Sequence, residues 1–69
     1  MKKIYGFGDN LAGMLRGNTI ITRHGGTLTV DAGELHDAEE GHVGYFDGCE
    51  VRNYHGELQG SLEKGWEAQ

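Results

Sequence analysis

Proline is absent from this chain, and cysteine occurs once, at Cys49. With no proline-rich or serine-rich stretch to divide them, 69 residues have room for one hydrophobic core, so residues 1–69 read as a single domain. A lone cysteine excludes an intrachain disulfide and any zinc site of the four-cysteine or three-cysteine type. Long apolar runs are missing too. The longest, such as Ile20-Ile21 and Tyr45-Phe46, fall far short of the roughly 20 residues needed to span a bilayer. The opening Met1-Lys2-Lys3-Ile4-Tyr5-Gly6 has two lysines but not the apolar stretch of a secretory signal. Together with the unpaired Cys49, this predicts a cytosolic protein.

A chain this short buries only about 60% of the surface its unfolded form exposes, and it gains margin from a disulfide, a metal or a partner subunit. Without a disulfide, self-association is the expected staple. Basic residues are few, and the formal net charge of −5 is unevenly spread. Residues 1–23 carry Lys2, Lys3, Arg16 and Arg23 against Asp9, a balance of +3; residues 24–69 carry Arg52 and Lys64 against ten carboxylates, a balance of −8. A surface of that sign repels phosphate backbones, so direct nucleic-acid binding is disfavoured, whereas a basic protein groove would be attracted. Solubility alone is the plainer account of the same charge.

Glycine and aliphatic residues recur in step from Gly25 onward. The anchors Leu28, Leu35, Val43, Val51 and Leu58 stand 7, 8, 8 and 7 residues apart, each with a glycine two or three positions earlier. Short strands alternating with turns at that interval predict a mainly β fold, either a small antiparallel meander or sandwich-like sheet, or a short oligomeric β-solenoid with glycine at its corners. The meander places turns at 23–26, 31–33, 39–41, 47–48 and 55–56. Asp47-Gly48 is the strongest, because both residues tolerate the positive φ of a type I′ turn. Thr19–Arg23 reads as a β-branched strand partnering Thr27–Val30. Nearer the N-terminus, Asp9-Asn10 offers a cap to a short helical turn over Leu11–Arg16, whose Leu11, Met14 and Leu15 share one helical face.

Four histidines invite a search for chemistry. A hairpin loop at 39–41 would set His36 and His42 as diagonal neighbours on one sheet face, with Glu34 beside them, a set able to bind a divalent ion. The ordinary reading is a polar solvent face with Leu35, Val43 and Tyr45 turned to the core; no short ligand signature is present, and no metal or cofactor is expected. His24 and His55 precede glycines and suit turns. A Cys49–His55 nucleophilic pair has no recognisable oxyanion element, Gly6-Phe7-Gly8 lacks the rest of a phosphate loop, and Asp37–Glu40 departs from the calcium-loop spacing. No enzyme is expected.

The aromatic set is Tyr5, Phe7, Tyr45, Phe46, Tyr54 and Trp66. Adjacent Tyr45 and Phe46 must face opposite sides of a shared strand, so one of them leaves the core unless the Leu11–Arg16 turn or the Trp66 tail covers it. An outward aromatic beside carboxylates is what an interface anchor looks like. The expectation is therefore an acidic protein–protein interaction module, in one version an inhibitor occupying a basic groove. Its contact residues would be Tyr45 or Phe46 with Glu34, Asp37, Glu39, Glu40, Glu50 and Glu57. The alternatives are a structural β-repeat oligomer and a metal-dependent enzyme using His36 and His42.

Overall fold

A computed structural model describes residues 1–65. Eight strands follow one another as an antiparallel meander: β1 (Lys2–Tyr5), β2 (Leu11–Arg16), β3 (Thr19–Thr22), β4 (Thr27–Asp31), β5 (Glu34–Asp37), β6 (Gly41–Phe46), β7 (Glu50–Asn53) and β8 (Leu58–Ser61). Each pairs with its sequence neighbour, and Tyr5 of β1 pairs with Ser61 of β8, closing the sheet into a barrel. Closure removes the two edges that an open sheet would expose. The mainly β, antiparallel expectation holds, but the meander closes on itself as a barrel instead of remaining an open sheet or folding into a sandwich. Antiparallel pairing throughout replaces the parallel coils of a solenoid.

The interior is filled by side chains, as expected for a barrel of this strand number. Ile4, Ile20, Leu35 and Phe46 are buried at its centre, with Ala12, Leu15, Leu28, Val30, Val43, Val51 and Leu62 packed around them. Three β-bulges bend the strands. The register skips a residue at Ala12, at Val43 and at Gln59. In each case a buried glycine follows, Gly13, Gly44 and Gly60, and lies close against the next strand. A Cβ on Gly13 would stand 2.7 Å from the Ile21 carbonyl oxygen, one on Gly44 would run into the Arg52 carbonyl, and one on Gly60 would meet Tyr5 across the closure at 3.1 Å.

These bulges explain why Leu11–Arg16 is a strand and not the expected helical turn. A bulge inserts one residue, so outward-facing positions on either side of it stand three apart rather than two. Leu11 and Met14 both face out, opposite Tyr5 and Lys3, with the Ala12-Gly13 bulge between them. Over six residues this spacing mimics helical periodicity. The only helical element among the described residues is a single 3₁₀ turn over Phe7–Asp9, with Gly8 and Asp9 at positive φ. Asp9 caps no helix; its carboxylate instead accepts the Gly65 N–H at 2.8 Å and ties the end of the described chain to the β1–β2 loop.

Two turns differ from expectation: the β5–β6 loop is residues 38–40 rather than 39–41, because Gly41 already pairs with Asp37, and the type I′ geometry sits at a different hairpin. Ala32-Gly33, with φ of 52° and 82°, forms the type I′ turn, linking the Asp31↔Glu34 pair. At Asp47-Gly48 only the glycine has positive φ, and the Asp47 carboxylate instead accepts the N–H groups of Cys49 (2.9 Å) and Glu50 (2.7 Å). Three hairpin loops share a single hydrogen-bond pattern. In Gly6–Asn10, Thr22–Gly26 and Asn53–Glu57 the first residue donates to the fifth, and the fourth, at positive φ, donates back to the first.

Candidate interaction face

Alternation along each strand sends one set of side chains inward and leaves the other on the outer wall. Asp31, Glu34, Tyr45, Arg52 and Leu58 are successive cross-strand partners, forming a row over β4–β8. Thr29, His36 and His42 form a second row beside it. The Val43 bulge places His42 and Tyr45, three residues apart, on the same outer side. His36 and His42 are direct partners rather than the expected diagonal neighbours, because the hairpin closes at Asp37↔Gly41 with its loop at 38–40 instead of 39–41.

A compact ring cluster results. His42 lies 5.5 Å from His36, 4.8 Å from Tyr45 and 5.0 Å from Tyr54, the two tyrosines meeting it edge-on. The His42 Nε2 donates to the Gly44 carbonyl at 2.8 Å, since a carbonyl can only accept. The His36 Nε2 is 3.2 Å from Glu34 Oε1. Both Nε2 atoms are thus engaged within the sheet. Among the described residues no group of three or more His, Cys, Asp or Glu is placed to hold a metal ion.

No family model matches the sequence, and no curated protein or solved structure is significantly similar to it. The geometry therefore carries the functional reading by itself.

The Val43 bulge turns Tyr45 away from the core, where regular alternation from His42 would place it. Of the two adjacent aromatics, Tyr45 is outward at 39% exposure and Phe46 is in the core at 7%. Phe46 is thereby removed from any contact surface. Glu34 shares the face directly, and Glu50 does so through a 3.0 Å ion pair with Arg52, which also donates to the Gly56 carbonyl. Glu39 and Glu40 are exposed on the β5–β6 loop. Asp37 braces that loop, its carboxylate accepting the Glu39 N–H at 2.7 Å. Glu57, on the β7–β8 loop, accepts from the Asn53 side chain at 2.9 Å. The face therefore gathers Glu34, Tyr45 and Glu50, with Glu39, Glu40 and Glu57 on the two loops at one end of it.

Sequence reasoning missed Asp31, Arg52 and Tyr54, the last of which is 59% exposed. The strand pairing that brings Asp31 opposite Glu34 depends on the Ala32-Gly33 turn, where alanine conceals the I′ signal. Cys49 and His55 lie beyond opposite ends of β7, and the Cys49 thiol is 3.8 Å from Ser61 Oγ. Trp66 lies outside the described residues. No helix among them is long and apolar enough to cross a membrane.

Proposed function

We propose that this protein is a binding module that engages a basic protein surface through the outer face of β4–β7. One observation carries the reading: Asp31 and Glu34 are direct cross-strand partners, and Glu34 is in turn the partner of the exposed Tyr45. Like charges directly opposite each other destabilise a sheet, so a fold that keeps them retains an attraction for a cation. An incoming lysine or arginine would offset that repulsion and lie against the tyrosine ring, a favourable position for a cation. Glu39, Glu40 and Glu57 would steer such a partner from longer range. A groove that carries positive charge for a nucleic-acid backbone would be one such surface, and occupying it would make the protein an inhibitor acting by occupation rather than catalysis. The lone Cys49 suits work in a reducing compartment such as the cytosol.

The test is titration of a lysine-rich peptide into isotopically labelled protein at low and high salt. Binding should shift the resonances of Asp31, Glu34, Tyr45 and His42 and weaken as salt screens the charges. Shifts scattered over β1–β3 instead, or binding indifferent to salt, would sink the proposal.

A further inference from the structure

The wall opposite the acidic face carries outward side chains of a different kind. Lys3, Met14 and Ile21 form one outward row across β1–β3, and Leu11, 44% exposed, stands beside it. Arg16 pairs with Thr19 at one end of this patch, and Phe7, 82% exposed, lies in the β1–β2 loop at the other. The strands β1–β3 carry Lys2, Lys3 and Arg16 and no carboxylate, whereas the segment from Glu34 to Asn53 carries six carboxylates against Arg52. One wall is thus apolar and cationic, and the other aromatic and anionic. In the closed order of strands, β2 and β6 are separated by three strands in either direction, so the two walls face opposite ways.

We infer that the partner of the acidic face is a second copy of this chain, docked by its β1–β3 wall. The inference rests on the reading of the β4–β7 face as a binder of basic surfaces, and it names that surface. Charge complementarity selects the occupant: Lys3 and Arg16 of one copy meet Asp31, Glu34 and Glu50 of the next, while Leu11, Met14 and Ile21 cover Tyr45 and Tyr54. A face-to-itself pairing of either wall would set like charges against each other, at a cost in affinity. Because the contact joins two different walls on opposite sides, each added copy leaves one wall of each kind free. Assembly therefore proceeds head to tail, into a ring or an open chain according to the rotation per step.

The experiment uses the full chain and two variants, Lys3→Ala/Arg16→Ala and Asp31→Asn/Glu34→Gln, each retaining one competent wall. Sedimentation of the unaltered protein over a dilution series should show species above 7.6 kDa. Raising the salt should weaken association by roughly tenfold or more, as expected for a charge-steered contact. Each variant alone should run as a monomer, and an equal mixture should form pairs that grow no further, because each pair has used its only two competent walls. Circular dichroism checks that the variants fold; should they not, the concentration and salt dependence of the unaltered protein decides the matter.

A monomer at every concentration, or assembly unaffected by salt, would overturn the inference. So would variants that fold and still assemble alone, or a mixture that fails to pair. A lysine-rich peptide titrated into Lys3→Ala/Arg16→Ala separates the two ideas. If the unaltered protein is monomeric yet the peptide binds through Asp31 and Glu34, self-assembly falls and the binding reading stands; if neither occurs, both fall.

Discussion

Asp31 and Glu34 face each other across the β4–β5 hairpin, two carboxylates as direct partners beside a two-residue turn. Cross-strand pairs of like charge oppose sheet formation, and Glu34 finds partial relief in His36 at 3.2 Å. Replacing Asp31 with asparagine removes the repulsion without altering size. The expected gain is about 0.5 kcal/mol, a rise in Tm of about 2–4 °C for a domain of this length, accompanied by weaker binding of a basic peptide. Thermal melts in high salt, where charge-steered assembly is suppressed, and peptide titration of the same variant check both effects, and a variant less stable than the parent under those conditions would contradict the first.

The Ala32-Gly33 turn makes an independent prediction about the same hairpin. Ala32 holds a φ of 52°, a region an L-residue with a Cβ enters at a cost of about 1 kcal/mol. Asparagine enters it more readily, and Asn-Gly is a preferred pair for a type I′ turn. Ala32→Asn should therefore raise stability by up to about 1 kcal/mol in urea unfolding with an unchanged m-value. No gain would mean that the strain is relieved elsewhere in the hairpin.

Local chemistry made the strands readable and the closure unreadable. The glycine-aliphatic rhythm located β4 to β8 because each turn needs a permissive residue and most of the strands an inward anchor, such as Leu28, Leu35 and Val51. Leu58 departs from that rule, standing in the outward row opposite Arg52. The in-and-out alternation of a regular strand is broken at three points, Ala12, Val43 and Gln59, where a bulge changes the outward spacing from two to three. That one change makes β2 look like a helix and brings Tyr45 onto the same outer side as His42. Barrel closure depends on Tyr5 meeting Ser61, residues near opposite ends of the described chain, and no short-range pattern announces it. Composition and alternation named Glu34 and the Tyr45-Phe46 pair as contact candidates, but not that Tyr45 is the outward one or that it stands opposite Glu34. The candidate site was hidden where it depends on register, as with Asp31, Arg52 and Tyr54.

Close strand approach predicts an unequal response to adding one methyl group. Gly44→Ala would press a Cβ onto the Arg52 carbonyl oxygen, a backbone atom fixed by β6–β7 pairing. Gly17→Ala adds its Cβ to open space and meets only the strain of a 61° φ. The first should cost about 3 kcal/mol and the second about 1 kcal/mol, read from denaturant midpoints. Equal costs would show that the bulge at Val43 can open.

Acid stability carries a signature at Asp47. Its carboxyl is held below its ordinary value of 3.8 chiefly by the N–H of Glu50, then by that of Cys49. A carboxyl depressed in the folded state stabilises fully above its unfolded pKa, and the contribution fades as pH falls from there through the lower folded value. Asp47→Asn should therefore flatten the decline of stability below about pH 4 while leaving its slope near neutrality unchanged. Carboxyl titration by NMR should place Asp47 below 3.8, and a midpoint above that value would remove the proposed role of the two N–H bonds.

Tyr45 and Phe46 are neighbours in sequence with opposite destinations, and alanine at each should separate anchoring from folding. Phe46 is 7% exposed in a core whose other buried members are Ile4, Ile20 and Leu35. Its loss leaves a cavity costing about 3–5 kcal/mol, a large part of the stability available to a domain this small. Tyr45 is 39% exposed and contacts His42 by its edge, so Tyr45→Ala should keep the barrel folded. Its effect should appear in binding, as faster dissociation of a basic partner, with a loss on the order of 2 kcal/mol where the ring becomes buried in the complex. Glu39→Lys/Glu40→Lys should act differently, slowing association and reducing its salt dependence while leaving dissociation nearly unchanged, because exposed loop charges steer and do not anchor. Surface plasmon resonance on the three variants distinguishes these effects. Should Tyr45→Ala bind as the parent does while the carboxylate reversals abolish binding, the face would be electrostatic alone and the tyrosine cluster would have no part in recognition.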